Sequence, residues 1–223
     1  MSLELGTLPK VDLHRHLEGS VRLSTIIDLH RQAGLELPAW TVDELAPFAL
    51  VTRPVASLEV ALTAFGFAQR SFVDLDAVRR IAREAVEDLA ADRVRLGELR
   101  FSPDFMCSPA GLDWDDAFAA LRAGVDEAVA AGNDVATGLI VIFSRDYGDE
   151  SADRTVEFTL RHRDDVVGFD IAGPEVGFPA SRYAEQIGRV REAGVHVTLH
   201  YGESGPPPYP AEAIELGAER LGH

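Results

Sequence analysis

From residue 74 onward the sequence alternates predicted helices with predicted strands, and no hairpin turn signal joins one strand to the next. Each predicted helix carries apolar residues on one face, and a short apolar run follows it. Asp113 is expected to cap a helix whose buried face includes Val129, and a later helix is expected at residues 181–193. The predicted strands lie near Val94, Val135, Val166, His196 and Arg220. Strands that are connected through helices require parallel pairing with right-handed crossovers. The pattern therefore predicts an α/β fold on a parallel sheet.

An earlier apolar run at residues 11–13 predicts a further strand, which raises the expected number to six. An open doubly wound sheet and a (β/α)8 barrel both show this alternation. No Gly-x-Gly-x-x-Gly turn follows the first strand, and polar residues stand at the ends of several strands. Both observations favour the barrel. We expect a TIM-type barrel that is incomplete, with about six strands present and two strand–helix units missing.

Residues 17–73 separate the first strand from the regular alternation. Trp40 and several phenylalanines give this segment more apolar mass than a simple connection needs. It could cover a pocket or complete the outer core. We expect one partial barrel domain over residues 1–223, with a helical, lid-like insertion at 17–73. The predicted helices of this segment are 24–30, which Ser24 is expected to cap, and 57–70. The prolines expected to interrupt the chain between them are Pro38, Pro47 and Pro54.

Composition narrows the classes of partner. The net charge is -16, from 21 basic and 37 acidic residues, so the protein repels phosphate backbones and anionic membranes. No apolar run approaches the length of a transmembrane helix. The single cysteine, Cys107, and the lack of a signal-peptide pattern favour a reducing cytoplasm. We expect a cytoplasmic protein that binds a small molecule and neither nucleic acid nor a membrane.

Histidines end three of the predicted strands. His14 and His16 are two residues apart at the end of the first strand, so both rings point to the same face of an extended chain. His200 ends the fifth strand. Three imidazoles with an open position suffice for a catalytic zinc. Because Lys10 is the only lysine and lies at the other end of its strand, a carbamoylated lysine bridging two metals is disfavoured, and we expect one zinc ion per chain.

Two further residues near strand ends have side chains suited to proton transfer. Glu203 follows His200 by three residues, with Gly202 in the turn, and is placed to exchange protons with a substrate. His223, at the sixth strand, could orient a metal-bound hydroxide. The histidines that fall elsewhere are expected to be structural or solvated: His30, His162 and His196. Other polar residues at strand ends are Glu98, Arg100, Ser102, Asp170 and Gly173.

Four motifs resemble, in order and separation, those of the adenosine deaminase family. They are LPKVDLHRHLEGS near the start, DIAGPE at 170–175, HYGES at 200–204 and GAERLGH at 217–223. Enzymes of that family are zinc-dependent (β/α)8 barrels, which hydrolyse the 6-amino group of a purine to a carbonyl and release ammonia. The resemblance covers nearly the whole chain.

The resemblance implies a role for each matching residue. His14, His16 and His200 would hold zinc, and Glu203 would protonate the purine nitrogen next to the attacked carbon. His223 would help to activate the attacking hydroxide. The substrate would contact His16, Glu18 and the backbone amide of Gly173. The expected reaction is deamination of adenosine or deoxyadenosine to inosine or deoxyinosine.

Three alternatives stay open at this point. Glu18 stands where animal adenosine deaminases carry Asp, and the HLEG form also occurs in adenine deaminases and in enzymes that act on modified nucleosides. The family places two further aspartates, one of them a zinc ligand, at the end of an eighth strand, so the chain could be an inactive piece that binds metal or purine. A barrel hydrolase of amides or phosphoesters would use the same three histidines.

Overall fold

The computed structural model describes residues 5–204 and 210–223. In that part of the chain the strands are Lys10–His16 (β1), Val94–Phe101 (β2), Ala136–Ser144 (β3), Gly168–Ala172 (β4), Val197–His200 (β5) and Arg220–Gly222 (β6). The helices are Leu23–Ala33 (α1), Val42–Ala49 (α2), Leu58–Gln69 (α3), Leu75–Ala91 (α4), Pro103–Cys107 (α5), Trp114–Ala130 (α6), Gly148–Arg161 (α7), Ala184–Glu192 (α8) and Pro210–Glu215 (α9). All six predicted strands are present.

The six strands follow one another in the sheet in chain order, from β1 to β6. The pairs β3–β4, β4–β5 and β5–β6 are parallel, with Ile142 beside Asp170, Asp170 beside Thr198, and His200 beside Gly222. All residues of β4 and β5 are buried, as expected for parallel strands that are covered on both faces. The expected α/β architecture is confirmed.

Contacts between residues divide the chain into two compact units. Unit 1 comprises Met1–Leu99 and Phe105–Gly138, and unit 2 comprises Arg100–Asp104 and Leu139–His223. The segment at residues 17–73 belongs to unit 1, where it forms a short 3-10 helix, Glu18–Ser20, followed by α1, α2 and α3. The segment is thus mainly helical in this structure, and its role as a lid stays a prediction.

Helices α4 and α6 pack closely against each other in unit 1. Asp74 caps α4 by accepting a hydrogen bond from the amide of Ala77. Asp113 caps α6, as the sequence predicts, by accepting from the amides of Asp115 and Asp116. Gly124 in α6 lies against α4 so closely that a Cβ atom there would collide with the carbonyl oxygen of Arg79. Only glycine fits this contact. The apolar faces on either side are fully buried: Val78, Ile81, Ala82, Ala85, Leu89, Phe118 and Leu121.

Some local expectations for unit 1 are wrong. Ser24 does not cap α1, because the helix begins one residue earlier, at Leu23. Pro47 lies inside α2, where backbone hydrogen bonds from Leu45 to Thr41 and from Leu50 to Ala46 hold the helix on both sides of the proline. In α6, Val129 was expected on the buried face but is exposed, since it lies in the last turn of the helix.

In unit 2, the structure differs from the prediction of one helix at residues 181–193. A short 3-10 turn, Ala180–Tyr183, comes first, and α8 begins at Ala184. Side-chain bonds hold that turn, because the Tyr183 hydroxyl donates to the carbonyl of Arg145 and Glu212 accepts from the amide of Ser181. Within the described residues, no helix is both long enough and apolar enough to cross a membrane.

Candidate active site

The carboxyl ends of β4 and β5 meet at Asp170 and His200 in unit 2. The Asp170 Oδ2 atom lies 2.8 Å from Nδ1 of the His200 ring, and its Oδ1 atom accepts the backbone N–H of His200 at 3.1 Å. Asp170 is fully buried, and His200 is only 2 % exposed. One carboxylate therefore fixes both the backbone and the ring of His200. Since Nδ1 faces Asp170, the geometry assigns Nε2 to any metal, the usual arrangement of a metal-binding histidine.

A buried arginine balances the charge of Asp170. The Arg100 Nη1 atom, at the end of β2, donates to Asp170 Oδ2 at 2.5 Å, and Arg100 is itself buried. A buried carboxylate without such a partner would be strongly destabilised. The residues Arg100, Asp170 and His200 are called the strand-end cluster below. Sequence reasoning placed all three at strand ends but assigned no role to Arg100 or Asp170.

His223, after β6, lies near two other predicted site residues. Its ring centroid is 5.3 Å from that of His200, and its Nε2 atom is 3.9 Å from Oε2 of Glu203. Burial lowers the pKa of His223, the charge of Glu203 opposes this shift, and His200 adds to it. A lowered pKa favours a neutral imidazole, which can accept a proton near neutral pH. The structure thus brings together the two residues predicted to transfer protons.

The backbone around Glu203 is held by a residue that sequence reasoning did not single out. The carboxylate of Glu175 accepts the amide of Gly202 at 3.0 Å and the amide of Ser204 at 2.8 Å. Glu175 is only 1 % exposed. Its position in the DIAGPE segment was the signal available in the sequence.

Gly173, predicted to contact substrate, occupies a position that tolerates no side chain. Its φ is 92°, in the left-handed region that favours glycine. A Cβ atom there would lie 2.7 Å from Ser144 Oγ and 2.9 Å from Asp146 Oδ1. Because Gly173 has no side chain, the side chains of Ser144 and Asp146 can lie this close to its backbone.

Arg145, which directly follows β3, was also missed. It is fully buried and donates from Nη2 to the carbonyl oxygen of His200 at 2.8 Å. Its guanidinium carbon lies 5.1 Å from the centre of the Tyr201 ring, within the range of a cation–π contact. Arg145 thereby holds the end of β5 at His200, whereas Glu175 holds the backbone that follows, at Gly202 and Ser204. Its signal was a charged residue immediately after an apolar strand.

The end of β1 is described within unit 1. The ring centroids of His14 and His16 are 5.3 Å apart, so the two imidazoles are neighbours as the i, i+2 spacing predicts. The Phe65 ring of α3 meets His16 edge-on at 6.2 Å. Glu18, one of the residues expected to contact the substrate, is 3 % exposed in the short 3-10 helix.

The histidines expected to be structural or solvated have such surroundings. His30 in α1 is fully buried, and its Nε2 atom lies 3.0 Å from the carbonyl of Phe67 in α3. His196 is exposed beside Glu219, with Nδ1 2.8 Å from Oε2. His162 packs on the ring of Phe158, at 4.7 Å between centroids.

Comparison with known proteins shows which proteins this chain is similar to. The family model described as adenosine deaminase matches residues 9–223. An adenosine deaminase of Shigella flexneri is 40% identical over 218 residues, which cover 97% of this chain and 65% of the relative. The chain thus spans slightly less than two thirds of the length of that relative.

Two solved structures share the fold. An adenine deaminase from Arthrobacter aurescens superposes with a TM-score of 0.86 at 27% identity, covering 96% of this chain and 64% of that one. An amidohydrolase from Burkhoderia ambifaria with bound Zn gives a TM-score of 0.84 at 28% identity, covering 97% and 58%. These likenesses confirm the predicted class, a TIM-type barrel represented here by about six strands.

Proposed function

The chain belongs to the adenosine deaminase family, and from this premise we propose that it carries out hydrolytic deamination of adenosine and deoxyadenosine. The oxygen of water would replace the 6-amino group, and inosine or deoxyinosine would leave together with ammonia. The observation that carries the proposal is the pairing of Glu203 with His223, 3.9 Å apart, beside a histidine fixed by Asp170. We place this reaction in the cytoplasm, with a small-molecule partner.

We propose His14, His16 and His200 as the ligands of one zinc ion. The donor set fits that metal, because imidazole nitrogens are preferred zinc ligands and the Nδ1 atom of His200 already faces a carboxylate. A relative crystallised with Zn supports the choice of metal. When bound, zinc would lower the pKa of a water ligand to about 7.

The protein side chains would then move protons and hold the purine. Glu203 would donate a proton to the ring nitrogen beside the attacked carbon, where negative charge develops as ring resonance is lost. His223, whose pKa is lowered by burial, would accept the proton of the attacking water. The backbone amide of Gly173 would meet another ring nitrogen, and His16 and Glu18 would contact the rest of the substrate.

A second candidate substrate is adenine or a modified adenosine. Two observations favour it. Glu18 belongs to the HLEG form that also occurs in adenine deaminases, and it is buried close to the end of β1. The chain is also similar to the Arthrobacter adenine deaminase. A panel of adenosine, deoxyadenosine, adenine and N6-methylated adenosine separates these substrates. We expect the highest kcat/KM for adenosine or deoxyadenosine. A clear preference for adenine would reassign the substrate within the same chemistry.

The decisive experiment compares the zinc-loaded chain with its Glu203→Gln variant. Glutamine keeps the size of the side chain but cannot donate a carboxylic proton, so we expect kcat to fall by about 10²- to 10⁴-fold. Bound zinc, measured by metal analysis, should stay at one per chain. Release of ammonia and loss of adenosine absorbance both report turnover.

Glu215→Gln serves as the matched control, since Glu215 is exposed in α9, and it should leave kcat unchanged. If the zinc-loaded chain leaves every compound of the panel unchanged, the proposed function is wrong. A hydrolase of amides or phosphoesters would instead keep its turnover in the Glu203→Gln variant.

A further inference from the structure

Glu175 accepts hydrogen bonds from the two amides that flank Glu203 in sequence. Its Oε2 atom accepts Gly202 N–H at 3.0 Å, and its Oε1 atom accepts Ser204 N–H at 2.8 Å. Each carboxylate oxygen thus holds one side of Glu203. The contact bridges 27 residues of sequence for Gly202 and 29 for Ser204.

The surroundings of Glu175 make this contact rigid. The side chain is 1 % exposed, so water competes little for its oxygen atoms. Hydrogen bonds from N–H groups to an ionised carboxylate are roughly twice as strong as those between neutral groups. The Glu175 backbone is also fixed, because its carbonyl accepts the amide of Phe178 at 3.2 Å in a tight turn after β4.

Glu203 lies in a short loop that would otherwise have considerable freedom. Gly202 has φ of 89°, a conformation that glycine adopts easily, so the residue before Glu203 contributes little stiffness of its own. With the amides on both sides of Glu203 held by one carboxylate, the backbone dihedrals of Glu203 have little room to change. Glu203 remains partly exposed, at 29% for its side chain, so this loop is not fixed by burial of Glu203 itself.

We propose that Glu175 is a positioning residue, which holds the backbone of the loop so that the carboxyl group of Glu203 stays where a proton is needed. This inference rests on the proposed function, in which Glu203 is the proton donor. Glu175 touches neither substrate nor metal in this role. A displacement of about 1 Å in a catalytic group can cost about 10²-fold in rate, which sets the expected size of the effect.

The test uses Glu175→Gln in the full chain, with Glu185→Gln as control. Glutamine has nearly the shape of glutamate but replaces one acceptor oxygen by an NH2 group, which cannot accept from either amide. Glu185 is exposed on α8, so the same substitution there removes a charge and leaves the loop intact.

The first measurement is amide hydrogen exchange, which requires no turnover. In Glu175→Gln, exchange at Gly202 or Ser204 should accelerate by about tenfold or more, while amides in β4 and β5 keep their protection. The control should change neither. Unaltered exchange at both Gly202 and Ser204 would overturn the proposal whether or not the chain is active.

The second measurement is steady-state kinetics with the preferred substrate, together with zinc titration. We expect kcat to fall by about 100-fold, with KM and zinc affinity within about threefold of the unsubstituted protein. A purely structural role would instead lower zinc affinity or raise KM along with the loss of kcat, and that result would overturn the proposal. If the unsubstituted chain deaminates nothing, the proposed function fails, and the exchange result alone decides the role of Glu175 in holding the loop.

Should the glutamine variant not fold, Glu175→Asp takes its place. Aspartate keeps the buried charge but withdraws the carboxylate by one methylene group. We expect faster exchange at Gly202 and Ser204 and a kcat lowered by about tenfold. Wild-type kcat together with faster exchange would show that the contact does not position Glu203.

Discussion

Two clusters of arginine and carboxylate groups show how differently the same chemistry is used in unit 1 and unit 2. The strand-end cluster in unit 2 joins Arg100, Asp170 and His200, all buried. In unit 1, a helix-face network joins α1 and the preceding Arg22 to α4, and all of its members except the buried Glu84 are partly exposed: Arg22, Asp28, Arg80, Glu84, Glu87 and Asp88. The side chains of Arg22 and Arg80 are 35% and 30% exposed.

The two clusters differ in how much stability is lost when one partner of an ion pair is removed. At the exposed pairs of the helix-face network, water and other carboxylates can replace a missing contact, so each of these pairs contributes little. In the strand-end cluster, removal of Arg100 leaves the charge of Asp170 buried without its cation. The buried cluster fixes one orientation of the His200 ring, whereas the network links α1 to α4.

The largest effect is expected for Arg100→Met. Methionine fills similar volume but leaves Asp170 uncompensated, so the free energy of unfolding should fall by about 3–5 kcal/mol. Urea denaturation followed by circular dichroism measures the change. In the double variant with Asp170→Asn, part of the loss should be recovered, because the buried charge is gone. A loss below about 1 kcal/mol would mean that the two clusters do not differ as described.

The same substitution at Arg22 should have a much smaller effect. Arg22→Met removes contacts with Asp88 and Glu87 that water can replace, so we expect a loss of at most about 1 kcal/mol. This loss should shrink further in high salt, since exposed charges are screened. The urea midpoint, measured at low and high ionic strength, checks both statements. A loss as large as that of Arg100→Met would remove the contrast between the clusters.

The smallest effect at neutral pH concerns His30, a buried histidine in unit 1. Burial lowers the pKa of His30 in the folded protein, the hydrogen bond with Phe67 opposes this shift, and Arg70 adds to it. Below the ordinary histidine pKa of about 6.5, the unfolded chain therefore binds a proton more readily than the folded one. The contribution of His30 to the free energy of unfolding is therefore complete above that pH. It is lost as the pH falls toward the lowered pKa that His30 has in the folded protein.

His30→Gln tests this dependence, because glutamine can keep a hydrogen bond to Phe67 without titrating. The variant and the unsubstituted protein are compared by urea denaturation at pH 7.5 and at successive values down to pH 5. We expect the difference in stability between them to narrow as the pH falls. A difference that is constant with pH would show that His30 does not contribute to acid sensitivity.

Much of the fold could be predicted because its signals are local. The cap at Asp113, the apolar face of α4 and the run that forms β2 each lie within a short stretch of sequence. Some predictions from local sequence preferences were wrong because hydrogen bonds made by neighbouring residues stabilise a different structure. Pro47 is the clearest case, since it ought to end a helix and instead lies in one.

The candidate site could be predicted only in part, for a related reason. Strand ends identified His200, Glu203 and His223, because parallel strands bring their carboxyl ends to one edge of a sheet. The partners that hold these residues come from distant positions in the chain, as with Arg100 and Asp170, which are 70 residues apart. No periodicity or short motif shows which distant residues will contact one another, so the roles of Arg145 and Glu175 became visible only in the fold.

The close contact at Gly124 has a consequence for engineering the chain. Glycine in a helix is usually a good target for stabilisation, since alanine is better there by about 1 kcal/mol. In α6 that choice would drive α4 away, because the added methyl group meets backbone at Arg79. Gly66 and Gly188 also lie in helices but face open space, so helix glycines here divide into spacers and replaceable positions. A consensus-based redesign that treats all three alike would separate two helices in order to improve one.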